Sequence, residues 1–453
     1  MATRTGIFHR ALTRIEIDSH VLATLLFRSW SVVAGAVTIL LIPFCLTIVQ
    51  QGYYYTFASI LALQVFFELG LGQVIVQIVA HEAAHLHRTD AGEFAGPPER
   101  LSRLASMRKL LHQWYLIAAL LFLCFVNVLG LFFFRHGELP WGQWAVPWSL
   151  LVLATAANLA IGWKIAVVEG FAFVKQVGRL RMVQSMIGFC VMWLGLLLHA
   201  GLWVVAVVPA TAAVYSWVWL KRTPASDVLN AGMCTTEHPA SFSWRGEVFP
   251  FQWRIAISWM SGFLIYQLFA PMIFKYHGAA EAGRLGLAIS IFNSVVTVGV
   301  SWVGAKVPVF AQLLAHGRNA DASKLFKRLA MASITFVIVA SCALIFLVWV
   351  IRRFDLPIAG RLPDLPILMF LAAVSLGNSF VLPAAMFMRA HKEEPLMASA
   401  VVMAIATAID VYVMAPRGAI WVVGGYAILS WTIGVPWTAM LLGNYYRTAS
   451  VPR

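Results

Sequence analysis

Six charged residues stand inside long apolar stretches of the sequence, where an ionised group needs a specific reason to be present. Insertion scales put the cost of a charge at the centre of a membrane-spanning helix at roughly 2.5–3.5 kcal/mol. The six are Arg28, Glu68, Lys164, Arg254, Lys306 and Asp410. Guanidinium and ammonium groups form short, charge-assisted hydrogen bonds with phosphate oxygens. The basic members of this set therefore predict a cavity that binds a substrate carrying several negative charges.

The two carboxylates in this set predict a different chemistry. Glu68 belongs to the same candidate cavity, where it can pair with Arg28 or Lys164 when no substrate is bound. Both Glu68 and Asp410 are candidates for coupling to a proton or a sodium ion. A plainer interpretation stays open for the basic side chains near the ends of apolar stretches, since Lys and Arg can snorkel to the membrane surface. Asp410 has a similar alternative in an ion pair with Arg417.

The segment from His81 through Glu82 to His85 matches the HExxH pattern of zinc proteases. In those enzymes two histidines one helical turn apart hold the metal and the glutamate activates water. No partner motif elsewhere in the sequence supplies a third ligand. A Gln-x-x-Ala-His sequence recurs at Gln312–His316, with Gly317 where the glutamate would stand. We therefore interpret these histidines as residues at a helix end, and predict neither a metal site nor an enzyme.

The composition identifies the solvent that these residues must face. Of the 453 residues 61% are hydrophobic and only 11% are charged, whereas soluble domains are about one quarter charged. A membrane-spanning helix needs about 20 mostly apolar residues. Twelve such runs lie near 21–46, 53–80, 114–134, 144–168, 183–199, 202–220, 253–274, 285–311, 329–351, 366–388, 395–414 and 418–442. The sequence therefore predicts an all-α polytopic membrane protein, with long polar loops at 81–113 and 221–252.

The positive charge is distributed asymmetrically along the predicted topology. The chain has 33 Lys and Arg against 19 Asp and Glu, a net charge of +14. The terminal segments and the even-numbered connections hold 24 of the basic residues, and the odd-numbered connections hold 7. Because Lys and Arg gather on the cytoplasmic side of a membrane, both termini are predicted to be cytoplasmic. Topology thus accounts for the excess charge, and a nucleic-acid partner is not expected.

Matching features recur in the two halves of the chain. Arg28 and Arg254 lie 226 residues apart, and each stands near the start of an apolar run. Further matched pairs are Gly52 with Gly278, Pro43 with Pro271, and Gln77–His81 with Gln312–His316. Since an even number of helices per half preserves orientation, we predict two parallel repeats of six helices, typical of secondary transporters. The predicted domains are an N-terminal lobe at 1–220, a linker at 221–252 and a C-terminal lobe at 253–453.

Four phrases of the sequence resemble a known family. They are QGYYYTFASILALQVFFELGLGQVIVQ, EAGRLGLAISIFNSVVTVGVSWVGAKVPVFAQLLAHGR, DASKLFKRLAMASITF and FMRAHKEEPLMASAVV. With them the whole chain resembles the Wzx-type lipid-linked oligosaccharide flippases of the multidrug/oligosaccharidyl-lipid/polysaccharide (MOP) exporter superfamily. The resemblance implies a V-shaped bundle of two lobes in the bacterial inner membrane. It also implies a cationic cavity, which matches Arg28 and Arg254.

The family resemblance implies a function and its partners. Such a flippase moves undecaprenyl-pyrophosphate-linked oligosaccharide units from the cytoplasmic to the outer leaflet, for the synthesis of O-antigen, exopolysaccharide or capsule. Its expected partners are that lipid, the bilayer, and a polysaccharide polymerase with its co-polymerase, with no cofactor beyond a coupling proton or sodium ion. A cation-coupled multidrug-type antiporter of the same superfamily is the alternative, since Glu68 and Asp410 supply intramembrane carboxylates. A membrane enzyme of polysaccharide assembly is a third, but the short outer connections leave little room for its catalytic site.

Overall fold

The computed structural model describes residues 19–89, 94–223, 229, 243–390 and 396–449, with the backbone alone for 19–29, 245, 250–251 and 446–449. Most of the described chain is α-helical. The helices are α1 (Ser19–Cys45), α2 (Ile48–Leu61), α3 (Val65–Glu68), α4 (Leu71–Ala83), α5 (Pro98–Phe134), α6 (Trp141–Gly170), α7 (Val174–Leu197), α8 (Val207–Arg222), α9 (Phe249–Tyr266), α10 (Phe269–Gly304), α11 (Val307–Ala315), α12 (Asn319–Arg353), α13 (Leu365–Arg389), α14 (Met397–Met414), α15 (Ala419–Leu429) and α16 (Val435–Ala449). Short 3₁₀ or π-helical turns connect several of them, at Ala62–Gln64, Gly201–Ala206, Trp244–Val248, Pro357–Arg361, Ala415–Arg417 and Ser430–Gly434.

Ten segments of the described chain are long and apolar enough to cross a membrane. One of them, Gln252–Ala315, has 64 residues, and at 1.5 Å per residue it is about three times as long as a bilayer core requires. It divides at Gly278, whose backbone (φ 85°, ψ 176°) interrupts α10. With this division and with α1, whose apolar part is Trp30–Cys45, the helices accommodate the twelve predicted passes. The predicted fold class is confirmed.

Large apolar side chains cover the outside of the bundle. Phe125 on α5 and Phe346 on α12 are 58% and 63% exposed. Rings such as Phe57 and Trp148, whose centroids lie 5.0 Å apart, are instead fully buried inside the first eight helices. An exposed surface of this kind is stable only against lipid, since a soluble protein rarely exposes extended apolar patches.

The region 81–113 differs from its prediction as a long loop. α5 begins at Pro98, so the second half of this region is helix. The helix forms because the segment is amphipathic: Leu101, Leu104, Met107 and Leu111 recur at helical spacing and are buried. The remaining described part holds a two-residue antiparallel pair, β1 (His87–Arg88) with β2 (Phe94–Ala95). In the other predicted loop, 221–252, residues 224–228 and 230–242 lie outside the described residues, and α9 begins within it at Phe249.

The two halves of the chain meet backbone to backbone where α2 crosses α10. We refer to α1–α8 and α9–α16 as the N-terminal and C-terminal lobes. A Cβ atom on Gly52 would lie 1.9 Å from the carbonyl oxygen of Ala279, and one on Gly283 would lie 2.7 Å from the Gly52 nitrogen. The Gln51 side-chain amide donates to the Gly283 carbonyl at 2.8 Å. Small residues permit this approach, as they do in many membrane helix pairs.

The crossing lies at one end of the bundle, which we call the opposite face because α1 ends there. The end where α1 begins is the terminal face. The turn into α2 at the opposite face is fixed by a capping box: the Thr47 hydroxyl accepts from the Gln50 N–H, and the Gln50 side chain accepts from the Thr47 N–H. This tight turn makes α1 and α2 antiparallel neighbours and fixes the height of Gln51 and Gly52.

The second pass is a broken helix. α3 ends at Glu68, and the next two residues adopt left-handed backbone, with φ 51° at Leu69 and 68° at Gly70. α4 then begins at Leu71. A Cβ on Gly70 would lie 2.4 Å from Cγ2 of Ile255 on α9, so the break also brings the second pass close to the C-terminal lobe. Discontinuous helices place polar groups and free helix ends at membrane depth.

Candidate functional site

A cavity of about 550 Å³ lies between the two lobes. Its walls come from α1, α10 and α13. The lining residues are Ser31, Val32, Gly35, Ser294, Thr297, Val300, Ser301, Gly304, Leu382 and Met386. Along α1 and along α10 they recur mostly every three or four residues, so each helix presents one continuous face to the space. The volume lies within the range of small-molecule binding sites.

Hydroxyl groups give this cavity its polarity. Ser294 and Thr297 donate to the carbonyl oxygens of the residues four positions earlier, at 2.8 and 2.7 Å. The Ser301 hydroxyl donates to the Val298 carbonyl at 2.6 Å. Because each proton is used within the helix, each hydroxyl oxygen still has capacity to accept a hydrogen bond. The lining is therefore mostly apolar and uncharged, with hydroxyl oxygens that can accept hydrogen bonds from donors such as those of a sugar.

Arg28 is the basic residue whose position relates most directly to this cavity. It precedes Ser31, Val32 and Gly35 on α1 by three, four and seven residues. Helical spacing of this kind puts position 28 on the same face as the lining residues, one turn nearer the terminal face. The Arg28 side chain lies outside the described residues. Its predicted role as the cation of the cavity stays a prediction.

The other predicted basic residues are not among the residues that line the cavity. Arg254 is exposed near the start of α9, with its guanidinium 5.4 Å from the centroid of the Trp253 ring. Lys306 is exposed at the break between α10 and α11. Lys164 is partly buried in α6, and its ammonium lies 5.7 Å from the Trp163 ring. The structure does not bring these three together, and Arg254 has the surroundings of a snorkelling side chain.

The two predicted carboxylates lie in separate lobes. Glu68 is partly buried at the break of the second pass, and within the described residues it forms no ion pair with Lys164. Asp410 on α14 packs against α15, where a Cβ on Gly425 would lie 1.9 Å from Asp410 Oδ1. Asp410 Oδ2 is buried without a hydrogen bond among the described residues.

The alternative role of Asp410 in an ion pair with Arg417 does not occur. Arg417 Nη1 instead lies 3.4 Å from the sulfur of Met414. Asp410 and Glu68 thus stay candidates for ion coupling on different grounds. Asp410 has a buried oxygen that no group in the described part of the chain hydrogen-bonds, whereas Glu68 stands at a helix break.

The HExxH segment lies at the terminal face, where its glutamate is bound by arginines. Glu82, which is only 5% exposed, accepts from Arg100 at 2.8 Å and from Arg103 at 3.2 Å. The rings of His81 and His85 are 5.9 Å apart at their centroids. Both Glu82 oxygens are therefore engaged in ion pairs, whereas the zinc-protease chemistry requires a carboxylate free to act on water. Across the described residues, no three His, Cys, Asp or Glu side chains are grouped to hold a metal ion.

Two polar contacts between the lobes have no sequence-based prediction. At the terminal face Arg103 also pairs with Glu247, which lies in the turn before α9. At the opposite face Glu138, in the connection between α5 and α6, accepts from the backbone N–H of Ala279 at 3.0 Å. The recurrence of arginine at 100 and 103 on an amphipathic segment is a usable signal for the first contact. Glu138 has no such signal, because its partner is a backbone group 141 residues away.

Comparison with known proteins identifies the architecture. No protein-family model and no curated protein matches the chain. Among solved structures, the lipid II flippase MurJ in an inward closed conformation is similar over 95% of this chain and 89% of its own, with a TM-score of 0.61 and 13% identity. A MOP superfamily transporter from Pyrococcus furiosus is similar over 94% and 95%, with a TM-score of 0.53 and 11% identity. The chain shares its fold with these transporters.

A third similarity extends the same comparison. An inward-facing multidrug resistance MATE family transporter of the MOP superfamily is similar over 89% of this chain and 95% of its own, with a TM-score of 0.51 and 11% identity. At such low identities these similarities establish the fold and leave the substrate to the chemistry of the cavity. The names of these proteins state lipid II flipping for one and multidrug resistance for another.

Proposed function

We propose that this protein is a flippase for undecaprenyl-pyrophosphate-linked oligosaccharides in the bacterial inner membrane, with its terminal face in the cytoplasm. One observation carries the proposal: four hydroxyl side chains stand among the otherwise apolar and small residues that line the space between the lobes, with position 28 on the same face of α1. Sugars offer hydroxyl donors to such a lining, and a diphosphate offers oxygens to a guanidinium. The similarity of fold to a lipid II flippase supports the same assignment.

The division of labour in the cavity follows from the chemistry of this substrate. The oligosaccharide lies against Ser294, Thr297 and Ser301, whose oxygens accept from sugar hydroxyls. The diphosphate lies one turn nearer the terminal face, where Arg28 binds it. The polyprenyl chain stays in the lipid, because its apolar surface gains nothing from leaving the hydrocarbon. Lys164 and Lys306, nearer that face, raise the local concentration of the anionic headgroup.

Translocation requires the lobes to separate at one face at a time. The α2–α10 crossing, with Gly52 against Gly283, closes the opposite face. Release of this crossing after the substrate has bound exposes the cavity to the outer leaflet. Glu68 and Asp410 are the intramembrane carboxylates through which a proton or sodium ion drives this cycle.

A pair of matched variants in cells tests the proposal. R28Q removes the cation on the cavity face, and R254Q removes an exposed arginine on the C-terminal lobe outside the cavity lining. In a strain that depends on this protein for surface polysaccharide, we expect R28Q to lose export and to accumulate lipid-linked oligosaccharide on the cytoplasmic leaflet. R254Q keeps most of the export. Equal membrane levels of both variants are the control for insertion.

Two results would contradict the flippase. Normal polysaccharide on cells with R28Q, at normal protein level, removes the cation from the mechanism. Equal losses of polysaccharide export in R28Q and R254Q would show that export depends on the electrostatic field of all the basic residues. Binding of the headgroup by the residue at position 28 would then not explain the result.

A cation-coupled multidrug antiporter is the second candidate, favoured by Oδ2 of Asp410, which is buried and has no hydrogen-bond partner among the described residues. This function predicts that the protein confers resistance to a lipophilic cationic dye, and that D410N or E68Q abolishes that resistance. The uncharged cavity offers such a cation no carboxylate among its described lining residues. Dye export by wild type with no effect on surface polysaccharide would establish the antiporter in place of the flippase.

A further inference from the structure

An ion-pair network joins the two lobes at the terminal face. Arg103 on α5 contacts Glu82 of α4 at 3.2 Å and Glu247 of the turn before α9. Arg100 contacts Glu82 alone among these carboxylates, at 2.8 Å. Glu82, Arg100 and Arg103 belong to the N-terminal lobe, and Glu247 leads directly into the C-terminal lobe. Only the Arg103–Glu247 pair of this network therefore crosses between the lobes.

Both partners of the crossing pair are held in place by their own lobes. The second oxygen of Glu247 accepts from the Ser243 N–H at 3.1 Å, and the Ser243 hydroxyl accepts from the Gly246 N–H at 3.3 Å. These bonds fix the turn that presents Glu247. On the other side, Glu82 is buried and holds Arg103 by its guanidinium. The geometry of the pair is thus prepared before the lobes meet, which lowers the entropic cost of forming it.

The second pass packs against α9 along a contact that we call the seam. The Arg103–Glu247 pair lies at the terminal-face end of this seam. Further up this seam, Phe66 lies 5.1 Å from Phe263 between ring centroids, and Gly70 abuts Ile255. Beside the pair, Trp114 of α5 and Trp244 lie 5.7 Å apart at their ring centroids. A cavity of about 520 Å³, lined by polar groups that include Glu99 and Glu247, adjoins the network. Water therefore reaches the pair, whose side chains are 27% and 31% exposed.

We propose that Arg103 and Glu247 form a reversible latch between the lobes at the terminal face, with Glu82 as the residue that positions Arg103. When the lobes separate along the seam, Arg103 loses its ion pair with Glu247 and retains its ion pair with Glu82. No buried charge is then left unpaired. That matters because an unpaired buried charge is far more costly than a lost surface pair. The glutamate of the HExxH segment thereby has a role in gating. The proposal rests on the proposed function in so far as a transporter needs lobes that part.

The latch can be measured without any substrate. Spin labels at Lys109→Cys and Phe249→Cys, both exposed positions on α5 and α9, report the width of the seam in nanodiscs. The five native cysteines are first replaced by serine. Wild type should show mainly one short distance. E247Q and R103Q should raise the ratio of open to closed seam by about threefold to fivefold, the size expected of a partly exposed ion pair. High salt should widen the wild-type distribution in the same direction.

E99Q is the matched control. Glu99 lines the same cavity, and within the described residues it forms no hydrogen bond or ion pair with the C-terminal lobe. E99Q should leave the distance distribution unchanged. E82Q tests positioning: it should open the seam in the wild-type background and add nothing in the R103Q background, because Glu82 acts through Arg103. An additive effect of E82Q would show that Glu82 merely supports the fold.

An unchanged distance distribution in E247Q would overturn the latch, as would a shift of equal size in E99Q. These results are separable from the fate of the flippase proposal. If E247Q opens the seam while R28Q leaves polysaccharide export intact, the latch stands and the proposed substrate is wrong. If R28Q abolishes export while E247Q leaves the distance distribution unchanged, the flippase proposal stands and the latch is wrong.

Discussion

Replacement of Gly52 by alanine probes the tightest contact between the lobes. The new Cβ would lie 1.9 Å from the carbonyl oxygen of Ala279, 2.5 Å from its carbonyl carbon and 2.9 Å from its Cα. All three are backbone atoms, so no side chain can rotate away. Ordinary contact begins near 3.4 Å, and the two helices must therefore separate by about 1.5 Å.

The energetic consequence follows from the packing. Overpacking in a close-packed contact costs typically 1–3 kcal/mol. One or two kcal/mol of this penalty changes a two-state ratio by a factor of about 5–30. Separation at the crossing also weakens the hydrogen bond from Gln51 to the Gly283 carbonyl. We expect Gly52→Ala to weaken the contact between the lobes at the opposite face. The conformational equilibrium should then shift toward a state that is open on that side.

Thermal unfolding and cysteine accessibility check this prediction together. Gly52→Ala should lower the Tm in detergent and raise the labelling rate of a cysteine at the opposite face. Gly262→Ala on α9 is the matched control, because its added Cβ would meet no heavy atom of the described residues within 4 Å apart from its chain neighbours and the backbone of its own helix. It should leave the Tm unchanged or raise it, since alanine favours a helix by up to about 1 kcal/mol over glycine. The reasoning is refuted if Gly52→Ala has the Tm and the labelling rate of Gly262→Ala.

Three further substitutions have defined outcomes. E138Q keeps an oxygen that can accept from the Ala279 N–H but loses the negative charge that is favourable at a helix N-terminus. It should therefore raise the labelling rate of a cysteine at the opposite face about twofold to fivefold. An unchanged labelling rate would contradict a role for the charge. Gly425→Ala places a Cβ 1.9 Å from Asp410 Oδ1 and should abolish ion-coupled transport in vesicles while the protein still inserts; full activity would remove Asp410 from the coupling. His85→Ala should keep polysaccharide export, since its ring stands at a helix end; loss of export together with zinc in the purified wild type would restore the metal interpretation.

The sequence predicted the membrane-spanning helices well, because each such helix requires its own run of about 20 mostly apolar residues. Twelve apolar runs predicted twelve passes, and the first turn, at Thr47, directly follows the predicted run 21–46. α5 extends sixteen residues further than its apolar run, from Pro98 rather than 114, because an amphipathic helix is not continuously apolar. Hydropathy does not distinguish such a helix from a polar loop.

The contacts between lobes were beyond sequence reasoning for a different reason. Arg254 was matched to Arg28 by spacing, yet it is exposed outside the cavity lining, since equal position in a repeat does not fix which way a side chain points. Glu138 and Glu247 make their contacts with groups more than a hundred residues away. Only the three-dimensional arrangement of the helices brings such groups together.

Reconstituted translocation tests the central claim most directly. The purified protein is placed in liposomes that hold an undecaprenyl-pyrophosphate-linked oligosaccharide, and a lectin outside the vesicles measures the sugar that reaches the outer leaflet. Wild type should transfer the lipid much faster than protein-free liposomes, R254Q should do so at a similar rate, and R28Q should be close to the protein-free rate. Wild-type transfer no faster than in protein-free liposomes, in vesicles where the same protein exports a cationic dye, would contradict the flippase.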